Sequence, residues 1–283
     1  PLYQAQKDGV LDEITDCVNE QFSGCDIIFI CTPVVTITKY FELLKPLIKS
    51  SCILTDVGSV KTNIHEEVIK LGIEKYFIGG HPMAGSEKSG YANSKAMILE
   101  NAYFVLTPSK EVSQEKIDKY EQLVSTIHAL PIILDYKEHD YITGTISHLP
   151  HIIAATLVNY VKDSDTKSEL MKRLAAGGFK DITRIASSSP TMWQHICLKN
   201  KDNISQILAS YIKYLEEVKS MIDSGDGQAI YDWFDSSRIY RNSLPGASSG
   251  PIKKAFEVYC DIIDEAGGIA AIATILASNG LSI

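Results

Sequence analysis

Apolar residues in the first part of the chain form short continuous runs, and amphipathic segments separate these runs. Runs that are apolar on both faces predict buried strands, and the segments between them have helical spacing. The predicted strands are Asp26–Cys31, Cys52–Val57, Tyr76–Ile78, Ala102–Leu106 and Pro131–Leu134. Two predicted helices lie between them, at Thr38–Ile48 and Val60–Leu71. This alternation predicts an α/β fold with a doubly wound parallel sheet over residues 1–135.

The pattern becomes helical over residues 136–243. One long helix is predicted at His139–Val161 and a second at Lys201–Met221, with apolar residues on one face. Ser189 followed by Pro190 predicts an N-cap and a proline at the first helical position. We therefore expect an all-helical second domain, whose apolar faces could serve an interior or a dimer interface.

Residues 244–283 form a third segment with a different composition. Ser243–Pro251 is rich in serine, glycine and proline, which is typical of a linker. A half-buried strand is predicted at Ala255–Ile263, a helix at Ile269–Ala277, and the beginning of a further strand at Asn279–Ile283. We expect a small α+β module that is only partly present.

The dinucleotide fingerprint GxGxxG is absent from the chain. A Rossmann-like unit would need a strand, a glycine turn, a helix and a second strand before the run at Asp26–Cys31. Without them this strand would be an exposed sheet edge. We therefore expect an incomplete Rossmann-like sheet that lacks its first βαβ unit, and a natural polypeptide that extends further at both ends.

The composition excludes several classes of function. The formal net charge is −8, and no run of lysine or arginine marks a nucleic-acid footprint. No apolar run is long enough to span a membrane, and no signal-peptide pattern is present. The six cysteines form no CxxC pair, which predicts free thiols in a reducing cytoplasm and no metal site built on such a pair.

Two polar side chains follow neighbouring predicted strands. His81 comes after Tyr76–Ile78 and the pair Gly79–Gly80, which would let the backbone approach another group closely. Ser59 follows Cys52–Val57. Ligands of open α/β sheets bind outside the carboxyl ends of the strands, so His81 could accept a proton there with Ser59 in reach. The alternatives are a structural loop histidine and a serine helix cap.

The helical region carries two further candidate groups. His148 and His151 are spaced to share one helix face, with Pro150 between them. No carboxylate or cysteine completes a metal-binding set with them. Asp181 and Arg184 could pair and so fix a guanidinium that suits a carboxylate. The alternatives are packed core histidines and a surface ion pair.

Together these motifs resemble one family, the prephenate dehydrogenases of tyrosine biosynthesis. The resemblance runs in order from about residue 2 to residue 242. It is carried by Asp26–Pro33, Asp56–Lys61, Gly79–Gly90, Ser147–His151, Gly178–Ala186 and Met192–Trp193. Residues 264–283 resemble the opening of an ACT regulatory domain, with Ala266 where that module often has proline.

The resemblance implies oxidative decarboxylation of prephenate to 4-hydroxyphenylpyruvate. Hydride would go to NAD, with NADP as the alternative cofactor. His81 would accept the substrate hydroxyl proton, and Ser59 would hold the same oxygen or the ring nitrogen. The resemblance also implies a homodimer and tyrosine as a feedback effector.

The resemblance assigns the remaining candidate residues to binding. Arg184 would clamp a substrate carboxylate and be oriented by Asp181. His148, His151 and Glu87 would complete the substrate pocket. The residues implied beside the nicotinamide are Thr32, Pro33 and Asp56.

Two other functions remain as alternatives at this stage. One is arogenate dehydrogenase, because arogenate is the amino-acid form of the same substrate. The other is a catalytically inactive fragment with an amino-acid-sensing role, because the predicted sheet lacks the usual pyrophosphate cradle. A different hydroxyacid dehydrogenase of this architecture would not explain the motif at Ser147–His151.

Overall fold

The computed structural model describes residues 1–85, 90–244 and 267–279. The strand predicted at Ala255–Ile263, most of the one predicted from Asn279 onward, and the candidate residue Glu87 lie outside these residues. Residues 1–242 form one compact unit and residues 243–283 form another. Each unit is described separately below.

Five strands lie in the first unit, two in one sheet and three in a second. Each overlaps a predicted strand, but the third contains only the last residue of the run predicted at Tyr76–Ile78 and continues through His81, which the sequence placed after the strand. The five strands are β1 (Ile27–Ile30), β2 (Ile53–Asp56), β3 (Ile78–Pro82), β4 (Tyr103–Pro108) and β5 (Leu130–Ile133). β1 pairs in parallel with β2, and a parallel bridge between Leu54 and Phe77 joins β2 to the start of β3. β4 also pairs in parallel with β5.

The prediction of a wholly parallel sheet is wrong at one place. β3 and β4 pair antiparallel, with Ile78 opposite Pro108 and Pro82 opposite Phe104. A parallel pair needs a long crossover, usually a helix, whereas an antiparallel pair does not. The described residues between these strands form only two short 3₁₀ segments, Tyr91–Asn93 and Ala96–Ile98. The sheet is therefore mixed.

Four helices accompany these strands, and the last three bury apolar residues in the cores that flank the strands. They are α1 (Leu2–Lys7), α2 (Val34–Leu44), α3 (Thr62–Leu71) and α4 (Gln114–Thr126). In α2 the buried residues Val34, Ile37, Phe41 and Leu44 recur at helical spacing. α3 ends at Gly72, which adopts the left-handed conformation that favours glycine.

The glycine pair in β3 permits close packing inside the protein. A Cβ atom on Gly79 would lie 2.3 Å from Oγ1 of Thr107, and one on Gly80 would lie 2.6 Å from the carbonyl oxygen of Asp56. Any side chain at these two positions would therefore push neighbouring strands apart. The close approach that the sequence predicts here is an approach of strand to strand.

Helices make up the rest of the first unit. They are α5 (Tyr136–Thr143), α6 (Leu149–Ser164), α7 (Leu170–Leu174), α8 (Gly177–Thr183), α9 (Pro190–Lys199), α10 (Lys201–Ser224) and α11 (Gly227–Ser243). A π-helical turn, Gly144–His148, joins α5 to α6 and interrupts the single helix predicted at His139–Val161. Pro150 lies in the first turn of α6, where its missing N–H costs little.

The helical residues pack back onto the sheet region within this unit. Ile196 of α9 is buried in the same core as Phe41 of α2 and Leu54 of β2, and Trp193 packs against that core. α9 therefore brings residues from the two halves of the unit together. Side chains on α9 and α6 can in this way approach the carboxyl ends of β1 and β2.

The structure describes residues 243–244 and 267–279 of the second unit. This unit contains α12 (Gly268–Ser278), which confirms the helix predicted at Ile269–Ala277. Within the described part of the chain, no helix is long and apolar enough to cross a membrane.

Candidate active site

His81 lies near the carboxyl end of β3 and is partly buried. Its Nδ1 atom lies 2.7 Å from Nε2 of His139, which belongs to α5. Its Nε2 atom forms no hydrogen bond to any residue that the structure describes. One ring nitrogen is thus held by the protein, and the other is available to a ligand.

His139 is held in turn by its neighbour in sequence. Nδ1 of His139 lies 2.8 Å from Oδ1 of Asp140, and both side chains are fully buried. The Asp140 carboxylate also accepts the backbone N–H groups of Lys61, at 2.7 Å, and Thr62, at 2.8 Å. These two donors lie at the N-terminus of α3, where the helix dipole favours a negative charge.

Burial and hydrogen-bond partners determine the pKa values of Asp140 and His81. Burial alone raises the pKa of Asp140, but the hydrogen bonds from His139, Thr62 and Lys61 outweigh it and lower the pKa. Burial lowers the pKa of His81 well below its usual value, and His139, Lys61 and His148 lower it further. His81 is therefore a neutral imidazole at neutral pH, as a proton acceptor must be.

Lys61 ties together the elements that surround His81. Its ammonium is completely buried, forms an ion pair with Asp56, and donates to the carbonyl oxygen of Gly80 at 2.7 Å. Burial lowers the pKa of Lys61, and the two aspartates, Asp56 and Asp140, oppose this effect. A buried charge is tolerated only when it is paired, so Lys61 fixes the end of β2 against β3.

His148 lies at the end of the π-helical turn and is buried. Its Nδ1 atom lies 3.1 Å from Nδ2 of Asn200, which also donates to the carbonyl oxygen of Asp140 at 2.8 Å. An amide donor on Nδ1 leaves the imidazole proton on Nε2. His148 is therefore a hydrogen-bond donor, and burial lowers its pKa to about 4.

His151 and His148 both contact Trp193, as their predicted common face requires. The ring of His151 stacks on Trp193 at 3.8 Å, and that of His148 meets it edge-on at 5.9 Å. The indole Nε1 atom is buried and has no hydrogen-bond partner in the described residues. A buried donor without a partner is rare, and it indicates a place where a ligand atom could accept.

Arg184 follows the last residue of α8 and is exposed, as is Asp181. The predicted ion pair between them is not formed, although both lie in the described part of the chain. Arg184 has helical backbone angles and its N–H donates to the carbonyl oxygen of Asp181, so the backbone spacing would allow this pair. Arg184 is close enough to His151 to lower the pKa of that histidine, in addition to the larger effect of burial.

The other predicted residues lie at the ends of β1 and β2. Ser59 is partly buried, and no hydrogen bond joins it to His81 among the described residues. Thr32 follows β1, and its buried Oγ1 atom has no partner in the described residues. Pro33 is exposed. Asp56 is completely buried, with Oδ2 bonded to Lys61 and to the N–H of Gly58, and with Oδ1 unpartnered.

Comparisons with known proteins identify the family of this chain. Residues 2–132 match the family model described as the prephenate dehydrogenase nucleotide-binding domain, and residues 135–236 match the prephenate dehydrogenase dimerization domain. The chain belongs to the prephenate dehydrogenase family. Among curated proteins, it is 37% identical over 281 residues to a prephenate dehydrogenase of Bacillus subtilis, covering 99% of this chain and 76% of that protein.

Solved structures of the prephenate dehydrogenase family are also similar. The prephenate dehydrogenase of Aquifex aeolicus, crystallised with hydroxyphenyl propionate and NAD+, is 29% identical with a TM-score of 0.80. That match covers 85% of this chain and 84% of the other. An arogenate dehydrogenase of Synechocystis is 26% identical with a TM-score of 0.76, over 85% of this chain and 86% of the other.

Sequence reasoning missed several residues of this family member's site. His139, Asp140, Asn200 and the Lys61 ammonium hold the predicted groups in place. The adjacent pair His139–Asp140 in an amphipathic segment was a usable signal, because both residues are polar at positions the helix buries. Asn200 gave no such signal, because its partner His148 lies 52 positions away. Lys61 ends the motif Asp56–Lys61, but its burial and its bond to the carbonyl oxygen of Gly80 depend on the fold.

Proposed function

We propose that this chain oxidises and decarboxylates prephenate to 4-hydroxyphenylpyruvate with NAD as hydride acceptor. The observation that carries this proposal is the state of His81 at the carboxyl end of β3. Its Nδ1 is bonded within the protein, and its Nε2 remains available. An acceptor at this edge of a sheet suits the removal of a hydroxyl proton as hydride leaves the same carbon.

The end of the sheet has features that fit a dinucleotide. Oγ1 of Thr32 and Oδ1 of Asp56, at the carboxyl ends of β1 and β2, are buried polar atoms without a partner among the residues that the structure describes. We propose that Thr32, Pro33 and Asp56 flank the nicotinamide. When bound, NAD+ supplies the acceptor for the hydride. NADP is the alternative cofactor.

The proton balance of the reaction suits one histidine. Nε2 of His81 takes the proton of the ring hydroxyl as hydride leaves that carbon, which becomes a carbonyl carbon. Loss of carbon dioxide then delivers an electron pair to the ring, and the oxygen of the resulting phenolate takes a proton back. The same imidazole can serve both steps, so the protein needs no second acid. Ser59 would hold the reacting oxygen.

Substrate binding depends on groups in the helical region. Arg184 would clamp one carboxylate, and Asp181 and Glu87 are the further candidate binding residues that the family resemblance implies. The Nε2–H of His148 is a donor suited to a second anionic oxygen, since its Nδ1 accepts from Asn200. His151 stacks on Trp193 and forms an aromatic wall that suits a six-membered ring.

Arogenate is the second candidate substrate. The similarity to the Synechocystis arogenate dehydrogenase favours it. Arogenate has the same ring, hydroxyl and ring carboxylate as prephenate, and differs only in the side chain. His81 and Arg184 would serve both substrates equally.

We also propose a homodimer that assembles through the helical region. The match to a dimerization domain supports this proposal, and so do exposed apolar side chains on α10 and α11. These are Ile212, Leu215, Ile222, Phe234 and Ile239. Residues 264–283 would open an ACT module that responds to tyrosine. A cytoplasmic location is consistent with the free state of the cysteines in the described residues.

The test follows the absorbance of reduced nicotinamide with the purified full-length protein. Prephenate and arogenate are each offered with NAD+ and with NADP+, with and without tyrosine. The proposal expects turnover of prephenate with NAD+. Turnover of arogenate alone would favour the second candidate, and no turnover with any combination would contradict both.

A further inference from the structure

The donor and acceptor of each hydrogen bond that links His81 to His139 and Asp140 can be assigned, starting from Asp140. Its two carboxylate oxygens accept the backbone N–H groups of Lys61 and Thr62. An ionised carboxylate can only accept hydrogen bonds. The 2.8 Å contact between Oδ1 of Asp140 and Nδ1 of His139 therefore places a proton on that nitrogen of His139.

This assignment determines the next hydrogen bond. His139 is completely buried, and a neutral imidazole carries one ring proton. With that proton on Nδ1, Nε2 of His139 is an acceptor. Nδ1 of His81, at 2.7 Å from it, must then be the donor. The remaining nitrogen of His81, Nε2, therefore carries a lone pair.

We propose that His139 and Asp140 are positioning residues that hold His81 in the tautomer whose Nε2 accepts the substrate proton. This inference rests on the proposed function, since that function defines what Nε2 accepts. The same hydrogen bonds stabilise the imidazolium that His81 becomes. Its Nδ1–H already donates to His139, which in turn donates to the negatively charged Asp140. A serine protease triad uses an aspartate on one histidine in the same sense.

Two substitutions at one position separate the two bonds of His139. The amide of Asn reaches about as far as Nδ1 of the imidazole, so His139→Asn keeps a donor to Asp140 and loses the acceptor for His81. The amide of Gln reaches about as far as Nε2, so His139→Gln restores an acceptor for His81. Urea unfolding of both variants checks that each one folds.

The kinetic expectation concerns kcat more than KM. We expect His139→Asn to lower kcat by about 10²-fold with a KM within about threefold of the original, because general-base catalysis contributes factors of this size. His139→Gln should recover kcat to within about tenfold. If the role of His139 were purely structural, both substitutions would lower kcat by similar factors, or His139→Asn would keep the higher kcat. Equal losses of kcat in the two variants would overturn the proposal.

A second readout does not depend on activity. The ring nitrogens of the histidines are labelled with nitrogen-15 in the full chain, and the signals of His81 are assigned from their loss in His81→Asn. At about pH 8 the proposal expects a protonated Nδ1 and an unprotonated Nε2 in His81. His139→Asn should populate the opposite tautomer, and His139→Gln should not. A protonated Nε2 in the original protein would overturn the proposal, even if prephenate is oxidised. The expected tautomer without any turnover would instead count against the proposed function alone.

Discussion

The Nδ1 atom of His81 lies 2.7 Å from Nε2 of His139, although 57 residues separate them in the sequence. This contact joins β3 to α5, and Asp140 extends it to the N-terminus of α3. The candidate proton acceptor is thus anchored by three elements of the fold. Rigid support of this kind is what a catalytic side chain needs to keep its geometry through turnover.

Arg184 is the proposed clamp for a substrate carboxylate. We expect Arg184→Gln to raise KM for prephenate by about 10-fold to 100-fold with a smaller change in kcat, because a charge-assisted hydrogen bond contributes about 1.5–3 kcal/mol. Steady-state kinetics at varied prephenate measure both constants. Arg173→Gln, at another exposed arginine, is the matched control and should leave KM unchanged. A lower kcat with an unchanged KM in Arg184→Gln would contradict the assignment.

Trp193 has a buried indole N–H without a partner in the described residues. Trp193→Phe keeps an aromatic ring against His151 but removes this donor. We expect the free energy of unfolding to change by less than about 1 kcal/mol, because the lost group has no bond to lose. KM for prephenate should rise by about tenfold if the donor meets the substrate. Trp233→Phe, at an exposed tryptophan of α11, is the control for both measurements.

The buried ion pair of Lys61 and Asp56 should be sensitive to loss of one partner. Lys61→Met leaves the Asp56 carboxylate buried without its cation, which we expect to reduce the free energy of unfolding by about 3–5 kcal/mol. Urea unfolding measures this difference. Lys70→Met removes an ion pair with Glu67 whose lysine side chain is 71% exposed, and should cost less than about 1 kcal/mol. Similar losses in the two variants would show that Lys61 is not effectively buried.

His65 should make the protein less stable in acid. Burial and, to a smaller extent, the charge of Lys61 lower its pKa to about 3. Above that pH the folded protein therefore does not bind the proton that the unfolded chain binds below about pH 6.5. Stability is therefore fully present above about pH 6.5 and falls as the pH decreases toward 3, by up to about 1.4 kcal/mol per pH unit from this group.

His65→Gln tests this dependence, because Gln does not titrate and can still bond Thr107 or Ser109. Urea unfolding at several values between about pH 4 and 8 should show a shallower loss of stability in the variant. The difference in the free energy of unfolding between the two proteins near pH 8 gives the effect of the substitution apart from titration. An unchanged slope in the variant would mean that other groups, such as His148, account for the acid sensitivity.

Each strand of the first unit overlaps a predicted run, because apolar periodicity is a local property, but β3 extends over Gly79–Pro82, where the sequence has no apolar pattern. Helices α2, α3 and α10 were also predicted, with α2 beginning four residues earlier than expected. The sequence also identified His81, His148 and His151 as candidates, because each lies in a motif at the end of an element. The antiparallel pairing of β3 with β4 was not predictable, since the relative direction of two strands depends on their connection and not on the strands themselves. The roles of His139 and Asn200 depend on contacts with residues tens of positions away.

The most direct test of the account is the effect of His81→Asn on turnover. We expect kcat for prephenate oxidation to fall by about 10²–10⁴-fold, while the dissociation constant of NAD+ changes little, because the lost imidazole moves a proton and holds no cofactor. His128→Asn is the matched control: His128 is exposed and has a φ of 60°, a conformation that Asn tolerates. Turnover by His81→Asn within a few-fold of the original would contradict the central role of this histidine.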